Sequence, residues 1–433
     1  MRIGLGVFPA ALLVGTLFAA CGSSDSGSRA PDSGFPGTGV DAGATTDGGT
    51  PADGGGTPTD GGATASECDG LTPAAPGAAL TYAVHGVDSL NDACLPADSD
   101  GTGVGAFRWE NPLQPHDTHV TLVNLGTNAI SGTFSGTRYQ PIGQASGFIG
   151  TDVYGALATT DVTAINPDGT IVHRSGTFSS GNGPQANDPT GGFVLLRAAD
   201  SSSVSAITLD AWDASGVLRW SRLLPDNAVV SRAIVGVDRA GNVLALWDGS
   251  SRFGAASLAG QWYDHSGSGG AVFNAGSTSA WPTLRETRLY ERVGSGLFLW
   301  VRTYDSSGSV ASWRAEYPPM TAGFNAPPAW LVARPETRLH MVHGGAGYAV
   351  LPVVPLPGTA SPCSQTIEVV APSGTSCGFA TFPIAGGACT PMSIDVGYDG
   401  SVIQQLPTAM ETCSAGGGHL CTCTWRRWNG FFR

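Results

Sequence analysis

The run Trp212-Asp213-Ala214-Ser215-Gly216-Val217-Leu218-Arg219-Trp220-Ser221-Arg222, followed by Val237-Asp238-Arg239-Ala240-Gly241-Asn242-Val243, holds two turns of one design. Each has an apolar residue, then Asp-x-x-Gly, then a return to apolar residues. The aspartate caps its own backbone and the glycine takes a positive φ, which is what a tight hairpin demands. Tyr263-Asp264-His265-Ser266-Gly267 and Tyr304-Asp305-Ser306-Ser307-Gly308 repeat the motif, and Asn166-Pro167-Asp168-Gly169 and Tyr398-Asp399-Gly400 are looser relatives. The aspartates at 168, 213, 264 and 305 are spaced by 45, 51 and 41 residues.

A second repeat has the same period. Glu286-Thr287-Arg288-Leu289 recurs as Glu336-Thr337-Arg338-Leu339, an offset of 50. A tryptophan precedes each copy, Trp281 and Trp330, and a Gly-rich turn and an apolar run follow each, Leu297–Val301 and Tyr348–Val350. Between turn signals the chain carries short runs rich in β-branched and aromatic residues: Thr118–Leu125, Gly192–Ala198, Val204–Trp212, Val217–Leu224, Asn242–Trp247, Leu297–Tyr304 and Tyr348–Val354. Such runs, with no sustained helical periodicity, predict an all-β protein. A β repeat of about 40–50 residues is the length of one four-stranded propeller blade. Residues 68–433 number 366, room for about seven blades. Closing the ring removes the exposed edges of a long open sheet. Two β-sandwiches are the alternative.

The Trp212–Val243 run resembles the repeats of bacterial seven-bladed β-propellers, which pair a D-x-x-G-x-x-x-W hairpin with a V-D-x-x-G-N-V hairpin. The likeness is looser at 281–301 and 330–350, and no blade motif is legible in 68–165 or 360–433. It implies a propeller, not an activity.

The N-terminus carries a different kind of signal. Arg2 is followed by an apolar stretch to Ala20, the layout of an export signal over residues 1–20. The end, Leu17-Phe18-Ala19-Ala20-Cys21, resembles the lipobox of bacterial lipoproteins, with Leu one place earlier than usual. That resemblance implies a lipid on Cys21. Gly22, in place of an inner-membrane retention aspartate, implies the outer membrane. The whole layout resembles a family of uncharacterised lipoproteins of high-GC bacteria, in keeping with the absence of lysine. Residues 22–67 are Gly, Ser, Thr, Asp, Ala and Pro with seven acids and one arginine. Such a segment lacks the apolar surface to offset its ordering entropy and is expected to be a disordered linker. As a flexible coil it would reach roughly 35–40 Å from the bilayer.

Beyond Cys21 there are eight cysteines: Cys68, Cys94, Cys363, Cys377, Cys389, Cys413, Cys421 and Cys423. An even number in an exported chain predicts disulfides. Local pairing predicts Cys68–Cys94 and three bridges among the last six, which would staple residues 360–433 as a Gly-rich closing segment. Cys421 and Cys423 are too close to bond each other comfortably. The run His419-Leu420-Cys421-Thr422-Cys423 has ligand types that zinc accepts, but its spacing matches no common finger. No metal site is expected.

The net charge of −13, with 19 arginines against 27 acids in 68–433, excludes a basic footprint for nucleic acid. A serine-hydrolase elbow needs Gly-x-Ser-x-Gly in a strand-turn-helix, and neither the motif nor a helix to hold it is expected here. His116/His119 and His340/His343 are His-x-x-His pairs, which diverge when carried on strands. Trp220 is expected to pack between blades. The C-terminal Trp425-Arg426-Arg427-Trp428-Asn429-Gly430-Phe431-Phe432-Arg433 is expected to be a final ring-closing strand, a stacking site for sugar or peptide being the other reading. No catalytic residue and no cofactor are assigned. The expected function is that of an exported, lipid-anchored monomer in the cell envelope, presenting a non-catalytic propeller that binds a protein or a glycan. The rival is an envelope glycoside hydrolase or lyase with acids gathered at the ring centre from different blades.

Overall fold

The structure, a computed structural model, describes residues 67–428 except 89–92, 95–96, 112–116, 138, 155–158, 175–177, 180–181, 201–202, 227, 229–231, 278–283, 306–307, 343–345, 353–363, 384–393 and 406–419. The chain is an all-β, seven-bladed propeller. Two sandwiches are excluded by the strand order, which resolves into seven separate antiparallel sheets.

Strand β1 (Leu80–Asp88) does not pair with the strands next to it in sequence. Blade 1 is β2 (Ala93–Cys94) and β3 (Asp98–Ser99), both on β4 (Val104–Asn111), then β5 (Asp117–Asn124) and β6 (Ala129–Thr137). Blade 2 is β7 (Ile142–Gly143), β8 (Phe148–Tyr154) and β9 (Thr159–Ile165), with β10 (Ile171–Arg174) and β11 (Phe178–Ser179) both on β9. Blade 3 is β12 (Asn182–Asn187), β13 (Phe193–Asp200), β14 (Ser203–Trp212) and β15 (Leu218–Leu223). Blade 4 is β16 (Ala233–Val237), β17 (Val243–Asp248), β18 (Ser257–Tyr263) and β19 (Phe273–Ser277). Blade 5 has three strands, β20 (Leu284–Glu291), β21 (Leu297–Asp305) and β22 (Gly308–Tyr317). Blade 6 is β23 (Thr337–Val342), β24 (Gly347–Pro352), β25 (Ser364–Val370) and β26 (Ser376–Pro383). Blade 7 is β27 (Ile394–Val396), β28 (Val402–Gln405) and β29 (Leu420–Trp428), completed by β1 on its outer side. The N-terminal strand therefore closes the ring.

The core confirms closure. Successive residues of a strand point to opposite sheet faces, so each blade offers one apolar face to each neighbour. Val243, Ala245 and Trp247 of β17 pack on blade 3, while Leu244 and Leu246 of the same strand pack on blade 5. Seven such clusters are found among the described residues, one for each of the seven junctions, including blade 7 with blade 1. A large aromatic fills each junction; Trp425 does so between blades 7 and 1, and Trp428 between blades 6 and 7.

The two copies of Glu-Thr-Arg-Leu fall at the first strands of blades 5 and 6, so the 50-residue offset is one blade. The described residues of 68–165 and 360–433, the regions without legible motifs, nonetheless form regular blades, and those of the second carry a well-buried core. Its last strand, β29, pairs with β1 and closes the ring, as expected of the C-terminal run. The Asp-x-x-Gly turn at 304–308 also differs from its relatives: Asp305 pairs with Gly308 at the hairpin joining the second and third strands of blade 5.

Candidate functional site

Except for the one at 304–308, the Asp-x-x-Gly turns gather at one end of the propeller. The hairpins joining first to second strands lie on the same side as those joining third to fourth, because antiparallel strands reverse twice between them. In the third-to-fourth hairpins, Asp213 Oδ1 accepts the amides of Ser215 and Val217, and Asp264 Oδ1 those of Ser266 and Ser268. Gly216 and Gly267 both take φ of +82°.

The first-to-second hairpins do more, because they sit near the axis and meet across blade junctions. Asp100 of blade 1 accepts Val104 NH within its own turn at 2.8 Å and Gly147 NH of blade 2 at 2.7 Å. Gln144 of blade 2 accepts Gly192 NH of blade 3 at 2.7 Å. Asp238 of blade 4 accepts Ala240 and Asn242 amides at 2.9 Å, and Ser295 Oγ and Gly296 NH of blade 5 at 2.5 and 3.2 Å. Asp399 of blade 7 accepts Ser99 Oγ of blade 1 at 2.8 Å and pairs with Arg427. For Asp100, Asp238 and Asp399, the side chain that caps one turn also bonds the next blade. Burial is the larger influence on Asp100 and raises its pKa against the four bonds that lower it.

Ion pairs cross the blades at other positions. Arg302, buried on β21, lies 3.6 Å from Glu286 and 3.8 Å from Glu336, the matching glutamates of the two repeats. Arg338 of blade 6 pairs with Asp395 of blade 7 at 2.9 Å and donates to Ile394 O at 2.7 Å. Glu286 and Glu336 are two carboxylates brought to a common group from different blades, and that group is a guanidinium. Their arrangement braces blade 5 against blade 6, a structural use of charge.

Trp220 performs the packing expected of it. Its ring stacks on Tyr263 of blade 4 at 6.0 Å and its Nε1–H donates to His265 O at 3.1 Å. Arg222 Nε donates to Gly267 O at 2.8 Å. Burial at this junction pushes the Tyr263 phenol up to about 12.

At the rim, between blades 6 and 7, is a groove of about 350 Å³ lined by Pro76, Gly77, Ala79, Thr81, Thr381, Pro383, Arg426 and Trp428. Strand alternation explains it. Cys423, Trp425 and Arg427 of β29 turn toward blade 1, while Arg426 and Trp428 turn toward β26 of blade 6.

The cysteine pairing requires a correction. Cys68 bonds Cys377 on β26, not Cys94, and three bridges confined to the last six cysteines are thereby excluded. The physical reason is ring closure: β1 occupies the outer edge of blade 7, so the residues before it run beside the outer strand of blade 6. Glu67, expected in the linker, accepts the hydroxyls of Ser373 and Thr375 on that blade's last hairpin. Cys423 is disulfide-bonded as well. Cys94 and Cys421 lie on β2 and β29. Cys21, Cys363, Cys389 and Cys413 lie outside the described residues, as do His116, His343 and residues 1–66.

His119 lies within β5, its ring 3.3 Å from Ser135 Oγ, and His340 is buried on β23. Contrary to the expectation that the motif is absent, Gly374-Thr375-Ser376-Cys377-Gly378 has the Gly-x-Ser-x-Gly pattern of a nucleophile elbow. It opens strand β26 and not a helix, and its Cys377 is in the disulfide, so it is no such elbow. Among the described residues no group of three or more His, Cys, Asp or Glu is placed to hold a metal ion.

No known protein family and no curated protein matches the chain. Solved structures do. The β-propeller domain of the Trilobed protease from Pyrococcus furiosus aligns with 77% of this chain and 93% of its own, at 9% identity and TM-score 0.47. The Dos1 propeller aligns over 84% and 96%, at 9% and 0.42. The polysaccharide lyase Uly1 aligns over 76% and 88%, at 10% and 0.39. At such identities the likeness concerns the fold and says nothing of chemistry.

Proposed function

We propose that this chain is a lipoprotein of the bacterial cell envelope, anchored through Cys21 in the outer membrane and presenting a non-catalytic propeller, as a monomer, to a protein or glycan ligand. The observation that carries the non-catalytic reading is the use of its carboxylates. Asp100, Asp238 and Asp399 are spent on blade junctions, and Glu286 and Glu336 flank a guanidinium. An acid catalyst needs a carboxyl whose proton is free to move to substrate, and these are committed to neighbours. The anchor rests on the residues from Arg2 to Cys21 and on the acidic, Gly-rich stretch after them. Cys21→Ala tests it: the variant should leave the membrane fraction and run as a soluble or unprocessed species. Unchanged membrane association at unchanged size contradicts the anchor.

A further inference from the structure

Cys423 is fully buried and disulfide-bonded, and strand register narrows the choice of its partner. Cys68 and Cys377 bond each other. Cys421 is two residues away on the same strand, too close to bond comfortably. Among the described residues that leaves Cys94, on the first strand of blade 1.

A register shift sets Cys94 on the required face. Asp98 and Ser99 of β3 stand opposite Ala106 and Gly105 of β4, whereas Ala93 and Cys94 of β2 stand opposite Glu110 and Trp109, one residue out of step. A one-residue slip moves a strand's residues to the other face of the sheet. Without it Cys94 would share the face of Asp98, whose carboxylate accepts Gly143 NH of blade 2 at 2.7 Å. With it Cys94 shares the face of position 109 and so of Phe107, because β4 pairs with β5 in unbroken register. Phe107 and Cys423 pack in the same cluster between blades 7 and 1.

The two cysteines also stand at one height. The rings of Trp425 and Phe107 meet at 5.2 Å between centroids. Cys423 is two residues from Trp425, and position 109, opposite Cys94, is two from Phe107, both away from the Asp-x-x-Gly end. Chain continuity holds them close. Asp88, at the end of β1, stands opposite Leu420, and Cys94 follows six residues later. The equivalent crossing from blade 3 to blade 4 passes against the third strand of blade 3, where Leu224 NH donates to Ile207 O at 2.8 Å.

We propose that Cys94 and Cys423 form a second disulfide, which joins the first blade to the last and closes the ring covalently. The strand pairing of β1 with β29 closes the same junction without a covalent bond. Formation needs a disulfide oxidant. One cysteine thiolate attacks a sulfur of that oxidant, whose other sulfur leaves as a thiolate. The second cysteine thiolate then attacks the protein sulfur of the mixed disulfide and releases the oxidant as a dithiol. Two electrons pass to the oxidant, and the two protons shed by the protein thiols end on its sulfurs.

The test is disulfide mapping by mass spectrometry on the alkylated, unreduced full chain, cut before aspartates and then after leucine and aromatic residues. Cleavage before Asp92 and Asp98 isolates Cys94 in the peptide 92–97, and cleavage after Leu420 and Trp425 isolates Cys421 and Cys423 in 421–425. The two peptides should be found joined, and reduction should part them. The link should persist in Cys421→Ser and vanish in Cys423→Ser. Cys423 joined to Cys363, Cys389 or Cys413, or found as a free thiol, overturns the assignment. Unfolding temperature gives a second readout. Cys94→Ser, Cys423→Ser and the double variant should all fall to the same value below wild type, because losing either sulfur removes the same bond. A double variant that falls by the sum of the two singles contradicts the pairing.

Discussion

Trp220 and Gly267 show how single residues couple blades. A Cβ at Gly267 would stand 2.7 Å from the Trp220 ring, and its φ of +82° is one that side chains rarely adopt. Two changes therefore damage one contact from opposite sides. Trp220→Ala should cost about 3–5 kcal/mol, the range for a large buried aromatic. Gly267→Ala should also destabilise, through strain and displacement of the ring. Chemical denaturation of the two single variants and the double measures both. The double should lose less than the sum, because the methyl added at position 267 then has no ring to strike. This contact is legible in sequence, since the Asp-x-x-Gly spacing fixes where the turn lies and the tryptophan after it has few other places to go. The place of Arg426 in the rim groove is not. Its neighbour Arg427 is buried and paired with Asp399, and only the alternation of β29 between two blades separates their roles.

At the scale of the hairpin, the aspartates tie turn geometry to pH. Glu368 is held below the usual carboxylate range by Arg334, against burial, with help from the Ser376 hydroxyl. Burial would raise Asp213, but the Ser215 hydroxyl, the amides of Val217 and Ser215 and the Arg219 charge together lower it. Asp168 and Asp264 are lowered by the hydroxyls of Thr170 and Ser266 first and by turn amides next. A carboxylate with a depressed folded pKa stabilises the fold above its ordinary value and loses that contribution as pH falls through the folded one. Asp100, raised by burial, has the opposite sign and offsets only part. Stability should therefore decline below about pH 4, and Asp213→Ala should flatten the decline; thermal unfolding between about pH 6 and pH 3 measures it. Asp238→Ala removes an acceptor shared by two blades and should cost roughly 2–4 kcal/mol at neutral pH, read from urea unfolding. The existence of these turns is evident from their aspartates and glycines. Their second use, bonding the next blade, is hidden, because Asp100, Gln144 and Asp238 occupy equivalent places without a shared residue type.

At the scale of the whole molecule, the ring and its period are readable in the sequence, and its closure is not. Seven blades follow from chain length and a repeat near 50. That β1 belongs to the last blade, and that Cys68 therefore meets Cys377 across 309 residues, depends on the end-to-end geometry of a circle, which local spacing does not carry. Blades 1 and 7 lack legible motifs because inter-blade packing asks only for alternating apolar residues, which many sequences supply. The long loop closed by Cys68–Cys377 makes it worth about 2–5 kcal/mol. Cys68→Ser in otherwise oxidised protein should lower the unfolding temperature and open residues 68–79 to protease before the blades yield. Protection of that segment equal to wild type would contradict its role as a latch.

The central functional claim is that this propeller binds without turning over its ligand, its axial carboxylates being held by neighbouring blades. The most direct measurement is incubation of the purified full chain with cell-envelope polysaccharides while new reducing ends and unsaturated sugar ends are followed. No new ends formed on any polymer is the predicted result. Chain cleavage that is lost in Glu286→Gln or Glu336→Gln would contradict it.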